Sequence, residues 1–440
     1  MHSPTAPIAN RPQRALCLFL ALPQSPAKSA QMLALRHLAE RGWQPTVLTL
    51  TTTSPGQIVE ESWQGLRVMR LSPASQSWRR AVAVADRVRA RSRNGLARWA
   101  WRLLSVSLSG SNHFGHATEE LVQVADQLHS ASPFAAVVSL YHPITSHIVA
   151  ARLAHSWQVP WIATAKDFYS WPDQHVDNRL RRLLNRRRRR REAGLLAQAS
   201  KILTVNDQLS DYIAGLVPQQ TVATWPHCFD ERSQCPADAG PPQASCSQPY
   251  RLVSVGLVDR ADEPGLELLF SSVADILNDG QLSPDAVRFR FVGHGADVVQ
   301  RVAARCGVEH QLELVAPVPH AEAVQEMRQA DCLLFQQVAW GSRRRLADYF
   351  GARRPILAWP EFPSQRATTS QPLLERYGAV HLASSAASLK HTLLELVRKG
   401  RTHSPVIDDS LVEEFSSSSR GRELAAHLDD TLRPTSGIPS

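Results

Sequence analysis

Residues 288–335 read RFRFVGHGADVVQRVAARCGVEHQLELVAPVPHAEAVQEMRQADCLLF, and the fold class follows from how this stretch is parsed. Three apolar runs of strand length, RFRFVGHG (288–295), LELVAPV (312–318) and DCLLFQQ (331–337), are separated by helix-length segments. Strands alternating with helices in this way imply a parallel sheet covered on both faces. The pattern extends outward to RLVSVGL (251–257) on one side and to PILAW (355–359) and AVHLAS (379–384) on the other. LVEEFSSSSRGRELAAHLDDTL (411–432) reads as a terminal helix pair.

The first half repeats the alternation. RALCLFLAL (14–22) and PTVLTLT (45–51) read as buried strands, and SAQMLALRHLAERG (29–42) as a helix closed by Gly42. IVEESWQGLRVMRLS (58–72) reads as a hairpin about Gln64-Gly65. FAAVVSL (134–140), the helix ITSHIVAARLAHSW (144–157), PWIATA (160–165), KILTV (201–205) and QTVATW (220–225) complete the series. Between Phe229 and Tyr250 the composition turns to Pro, Ser and Gln, as in a linker or exposed loop. The expected architecture is α/β: two Rossmann-like doubly wound parallel-sheet domains facing across a cleft. They comprise residues 1–228 and 250–405, with a linker at 229–249 and terminal helices and tail at 406–440. Ligand is expected at the carboxyl ends of the strands.

The 440 residues carry a net charge of +9 and a pI near 9.6, which allows an anionic partner. The six cysteines show no CxxC and no zinc spacing. Cys17, Cys306 and Cys332 lie in or beside apolar runs, and a reducing, cytoplasmic location fits. Arg11 and Arg14 precede ALCLFLALP, which reads as a first strand rather than a leader. No apolar run reaches transmembrane length.

Four stretches together resemble the retaining glycosyltransferases of the GT-B fold, in particular family 4. LALRHLAERGWQPTVLTL resembles that family's opening helix, turn and second strand. VPWIATAKDFYSWPD (159–173) is similar to its strand and acceptor-side loop. The 288–335 stretch resembles its donor-domain core, and RRRLADYFGARRPILA its segment K/R-L-x-E-Y followed by P-I-L-A. The resemblance implies a nucleotide-sugar donor, a glycan or polyprenyl-linked acceptor, and no metal. The absence of any Asp-x-Asp agrees with the last point.

In VAWGSRRRLADYFGARRPILAWP (338–360), five arginines flank a helix start, a natural diphosphate site. Gly341 admits close backbone approach, and Ser342 caps the helix or donates to phosphate. The resemblance places Arg345 against the donor diphosphate and Asp348, for the family's Glu, against the ribose. Gly256 and His294 fall on the donor side, and Arg260 supplies charge from a neighbouring loop. Asp167, Arg260 and Arg345 are the candidate catalytic residues. Lys28, His142, Lys166 and Asp167 are the acceptor-side candidates. The implied mechanism is front-face attack, with catalysis from positioning and charge stabilisation. The chain departs from the family at Trp340, where an acidic residue is usual, and in the glycine-free loop PQSPAKSA (23–30). It departs again at Pro264, where a Lys precedes the glycine, and at His227-Cys228, where Asn-Gly is usual.

Residues 78–102 hold eight arginines with three tryptophans, and RLRRLLNRRRRRR (179–191) is a second basic cluster. Both fall in the first domain and allow contact with an anionic membrane surface. No nucleic-acid motif accompanies them, so no nucleic-acid partner is expected. A role in bacterial surface-polysaccharide or glycoconjugate assembly fits, and a catalytically degenerate nucleotide- or glycan-binding scaffold is the alternative.

Overall fold

A computed structural model describes residues 12–20, 30–52, 54–80, 113–141, 143–172, 179–233, 248–337, 344–360, 370–399 and 406–433. The chain divides into two compact units, Met1–Pro226 with Gly421–Ser440, and His227–Arg420.

The first unit is built on an eight-stranded sheet of order β3-β4-β2-β1-β5-β6-β7-β8. Its strands are β1 (Gln13–Leu18), β2 (Trp43–Leu50), β3 (Ile58–Trp63), β4 (Leu66–Leu71), β5 (Ala136–Tyr141), β6 (Trp161–Ala165), β7 (Lys201–Thr204) and β8 (Val222–Thr224). All neighbours are parallel except β3 and β4, which form the expected antiparallel hairpin. Its turn places both Gln64 (φ 49°) and Gly65 (φ 86°) in the left-handed region, the twist that two-residue hairpins favour. The helices are α1 (Ala30–Leu35), α2 (Thr118–Ala131), α3 (Ile144–Trp157), α4 (Arg179–Leu196) and α5 (Asp207–Leu216). The single helix expected over 29–42 is shorter: α1 gives way to a 3-10 turn at Leu38–Arg41, capped by left-handed Gly42.

The second unit carries an all-parallel six-stranded sheet of order β11-β10-β9-β12-β13-β14. The strands are β9 (Tyr250–Leu257), β10 (Val287–His294), β11 (Leu312–Val315), β12 (Cys332–Gln337), β13 (Ile356–Pro360) and β14 (Val380–Leu382). Helices α6 (Glu263–Asn278), α7 (Ala296–Cys306), α8 (His320–Arg328), α9 (Arg344–Ala352), α10 (Gln371–Tyr377), α11 (Ala386–Lys399) and α12 (Asp409–Glu414) cover both faces. One core packs α6, α7 and α11 on the sheet, and the other packs α8, α9, α10 and α12 on the opposite face. Phe270 of α6 meets Phe289 and Phe291 edge-on, with ring centroids 6.0 Å away in each case. Burying a side chain of this size contributes roughly 1.5–3 kcal/mol. With both faces covered, the central strands are mostly apolar, and β10 alternates Val287, Phe289 and Phe291 with the half-buried Arg288 and Arg290.

The polar stretch after the first unit begins packed rather than exposed. Phe229 bridges Ser416 and is buried, as is Asp230. The last helix, α13 (Ser417–Leu432), starts in the second unit and belongs to the first from Gly421 onward. There Trp43 donates to Asp429 at 2.8 Å, and His37 together with the Ala34 carbonyl of α1 leaves no room for a side chain at Gly421. Cys17 and Cys332 are fully buried and Cys306 is half-buried; burial pushes the Cys17 thiol up to about 12. No helix among the described residues is long and apolar enough to cross a membrane.

Candidate active site

In the second sheet the chain order reverses at β9, whose neighbours β10 and β12 lead to opposite edges. Ligands of open parallel sheets bind outside the carboxyl ends of the strands at such a point. β9 and β10 pair over eight residues, ending with Gly256 opposite Gly293 and Leu257 opposite His294. Gly293 (φ 138°) has no space for a side chain, because a Cβ there would lie 2.0 Å from the Gly256 carbonyl oxygen. At Gly295 (φ 96°) it would lie 1.9 Å from the Val258 carbonyl oxygen. The two strand ends are therefore packed backbone on backbone, and His294 accepts from the Val258 N–H at 2.9 Å.

Beyond β9 the chain enters a 3-10 turn, Arg260–Asp262, that leads into α6. Asp259 and Asp262 form a capping box: Asp259 accepts from Ala261 N at 2.7 Å, and Asp262 from Asp259 N at 2.8 Å. Tyr349 of α9 accepts from Val255 N at 3.2 Å and donates to Leu334 O at 3.1 Å, pinning α9 to β9 and β12. One turn earlier, Arg345 donates from Nη2 to Leu257 O at 2.7 Å, and its guanidinium covers Gly256. A Cβ at Gly256 would come within 3.0 Å of that guanidinium.

These elements enclose a cavity of about 390 Å³. Leu266, Phe291, Phe335 and Trp359 supply its apolar wall. Asp259, Asp262, Gln336, Arg344 and Arg345 supply its polar wall. Trp359 is fixed by donating to Gly265 O at 2.8 Å, and the Gln336 amide packs against the open face of Gly265, 2.4 Å from where a Cβ would stand. Burial raises the Asp262 carboxyl above its ordinary value; the Asp259 N–H and Arg345 oppose the shift, and the Asp259 carboxylate adds to it. The deeper Asp348 is also raised by burial, against the pull of Arg344 and His320, with Asp230 adding to the rise. It has no hydrogen-bond partner among the described residues.

The structure brings Gly256 and Arg345 together, and Gly256 and His294 line a small hollow of about 10 Å³ beneath them. It does not bring Arg260 into the cavity: that side chain is exposed on the turn, beside Glu263. Asp348 is buried against Arg344 rather than lining the cavity with Arg345. Lys28, His142, Gly341 and Ser342 lie outside the described residues, as do Trp340 and all of the 78–102 stretch beyond Arg80. Sequence reasoning missed Asp259, Asp262, Gln336 and Arg344. The Asp-x-x-Asp spacing before an apolar helix was a readable cap signal, whereas Gln336 carries no signal of its own.

In the first unit, Lys166 and Asp167 open the loop after β6, and Asp167 accepts from Phe168 N at 2.8 Å. Phe168 stacks on Trp171 with centroids 5.0 Å apart and meets Tyr212 edge-on at 5.2 Å. The loop is tied down by α4. Asn185 accepts from Trp171 N at 2.9 Å and donates to Trp171 O at 2.7 Å. Glu192 accepts from both the N–H and the hydroxyl of Ser170, whose hydroxyl also lies 2.6 Å from the Tyr212 hydroxyl. Burial pushes the Glu192 carboxyl up to about 7 against the Ser170 hydrogen bonds and Arg189. The sequence signal for these two residues was weak: a lone Asn and a lone Glu on an arginine-rich helix.

No protein-family model matches the chain, and no curated protein matches it. Solved structures do. Sucrose-phosphate synthase from Thermosynechococcus elongatus is 14% identical, with a TM-score of 0.58 over 96% of each chain. An α,α-trehalose-phosphate synthase (UDP-forming) from Burkholderia vietnamiensis is 9% identical, with a TM-score of 0.64 over 96% of this chain and 99% of that one. HepE from Anabaena, solved in complex with UDP-glucose, is 12% identical, with a TM-score of 0.59 over 95% and 99%. Two mostly parallel sheets with flanking helices, matched over nearly the full length of these chains, give the protein the GT-B fold.

Proposed function

We propose that the protein is a glycosyltransferase that moves a sugar from a nucleotide-sugar donor to a glycan or lipid-linked acceptor, with retention and without a metal. The observation that carries this reading is the cavity at the switch point of the second sheet, walled on one side by Arg344 and Arg345. Guanidinium groups at a helix start bind diphosphate in a forked geometry and neutralise the charge that develops on it as it leaves. Gly256 lets the Arg345 guanidinium lie on the backbone of β9. Asp167, on its anchored loop, remains the reading for the acceptor side. UDP-glucose in HepE and the UDP-forming synthase among the structural neighbours support a nucleotide-sugar donor.

The finer reading is an acceptor at a membrane surface, as in bacterial surface-polysaccharide or glycoconjugate assembly. Its support is the outer face of α4, where Leu180 (59% exposed) and Leu183 (52% exposed) share a stripe with exposed Arg186, Arg187 and Arg190. Apolar side chains set among arginines suit an anionic interface.

The first test is a thermal-shift panel of UDP-, GDP-, ADP- and TDP-sugars on the wild type and on Arg345→Ala. A donor that stabilises the wild type and leaves the variant unshifted supports the reading. Binding without transfer to any acceptor favours the degenerate scaffold, to which Trp340 and the glycine-free loop at 23–30 already point. No shift with any nucleotide overturns the donor site.

A further inference from the structure

Within that reading, the polar lining of the donor cavity carries both signs, and their placement bears on which sugar is taken. Arg344 and Arg345 stand at the start of α9, while Asp259 and Asp262 stand at the start of α6. A diphosphate is drawn to the arginines and repelled by the carboxylates. The part of the donor facing the carboxylates is then the sugar. In the capping box Asp259 accepts from both Ala261 N and Asp262 N, whereas Asp262 spends one oxygen, Oδ2, on Asp259 N. The other oxygen of Asp262 has no hydrogen-bond partner among the described residues.

Gln336 lines the same cavity, and its Nε2 is buried with no hydrogen-bond partner among the described residues. A buried amide donor left unpaired is costly, so a ligand oxygen there is favoured. The apolar part of the same lining is Leu266, Phe291, Phe335 and Trp359. Carboxylate and amide groups together with aromatic surface match a pyranose, whose hydroxyls point outward and whose C–H face is apolar.

We infer that Asp262 and Gln336 hold the hydroxyls of the donor sugar, and that the Asp259–Asp262 pair makes the cavity selective for neutral sugars over uronic acids. Asp262 accepts from one hydroxyl and Gln336 donates to another. A sugar carboxylate in the same place would be the third negative group within one small site, and like charges so placed reject a ligand strongly. The carboxylates therefore do the work for which the sequence offers Trp340 in place of an acidic residue.

The test measures affinity by calorimetry for UDP, UDP-glucose and UDP-glucuronate, or for GDP, GDP-mannose and GDP-mannuronate if the panel selects guanine. The proteins are the wild type, Asp262→Asn and Gln336→Leu. Asn keeps the acceptor for the Asp259 N–H, and thermal unfolding checks that both variants are folded. The wild type should bind the neutral sugar nucleotide at least about tenfold more tightly than the uronate. Asp262→Asn should reduce that ratio to within about threefold, each affinity being compared with that of the bare nucleotide on the same variant. Gln336→Leu should weaken the neutral sugar nucleotide relative to the bare nucleotide. If nucleotides bind but the wild type accepts uronates equally, or Asp262→Asn leaves the ratio unchanged, the inference is overturned and the donor site stands. If no nucleotide of the panel binds, both fall.

Discussion

Helices α4 and α9 both announce themselves as arginine runs, and the molecule uses them in opposite ways. In α9 every residue from Leu346 to Ala352 is buried, and Arg344 and Arg345 stand half-buried at its start, against a cavity. In α4 only Asn185, Glu192 and Leu196 are buried, and most of its arginines face solvent. Arg188 and Arg189 are the inward exceptions, lying over the rings of Tyr169 and Tyr212 at 5.9 and 5.8 Å. A charge run is thus informative only through its few buried members. In α9 they form a core and fix where two cations point; in α4 they lie on one stripe, and Asn185 and Glu192 fix a loop.

The difference can be broken most forcefully beneath α9. Gly293→Ala would force a Cβ onto the Gly256 carbonyl at a backbone angle that side chains rarely adopt. It should cost about 3 kcal/mol or more in stability, read from the urea midpoint. A variant as stable as the wild type would show that the two strand ends are not held backbone on backbone.

The buried face of α4 gives the next effect. The Glu192 carboxyl titrates near 7 in the folded protein against an ordinary 4.5. The folded state therefore holds a proton that the unfolded chain releases, and stability falls as pH rises from about 4.5 through 7. The loss attributable to this group is on the order of 3 kcal/mol. Unfolding at pH 5 and pH 8 should show it in the wild type, and Glu192→Gln should flatten it by being more stable at pH 8. An unchanged slope in that variant would place the pH dependence elsewhere.

Arg345→Ala sharpens the comparison directly. Losing the guanidinium should weaken the selected nucleotide by about 2 kcal/mol, roughly thirtyfold. The same change at Arg187 of α4 should leave nucleotide affinity untouched. Equal effects at both positions would erase the functional distinction between the helices.

Much of the fold was legible because its signals are local. Helix Ile144–Trp157 matches its expected span residue for residue, since Pro143 cannot extend it and Gln158 turns left-handed at its end. The hairpin was fixed by Gln64-Gly65, and the parallel sheets by strand length and apolar runs. The site was less legible because proximity in it is not local. Arg260 was expected to supply donor-side charge in place of the lysine that the family resemblance implies at Pro264, yet its side chain is exposed on the capping turn, and Arg345, 85 positions later in the chain, covers the β9 backbone instead. Glu192 and Gln336 have no sequence signature, because burial and the absence of a partner appear only when strands meet.

The smallest effect concerns the exposed face of α4. Leu180, Leu183, Arg186, Arg187 and Arg190 fall within one arc of the helix, opposite Asn185 and Glu192. If this face meets an anionic bilayer, each of Arg186→Gln, Arg187→Gln and Arg190→Gln should weaken vesicle binding by about 1 kcal/mol, or fivefold. Folding stability should stay within about 0.5 kcal/mol, because exposed arginines contribute little to it. Flotation with vesicles of mixed neutral and anionic lipid, and with neutral lipid alone, provides the readout. Binding that ignores both lipid charge and these substitutions would leave α4 as a solvated face whose work is confined to Asn185 and Glu192. Losses that add across the three sites would show the two arginine helices reading different anions: a diphosphate in a cavity and a plane of headgroups.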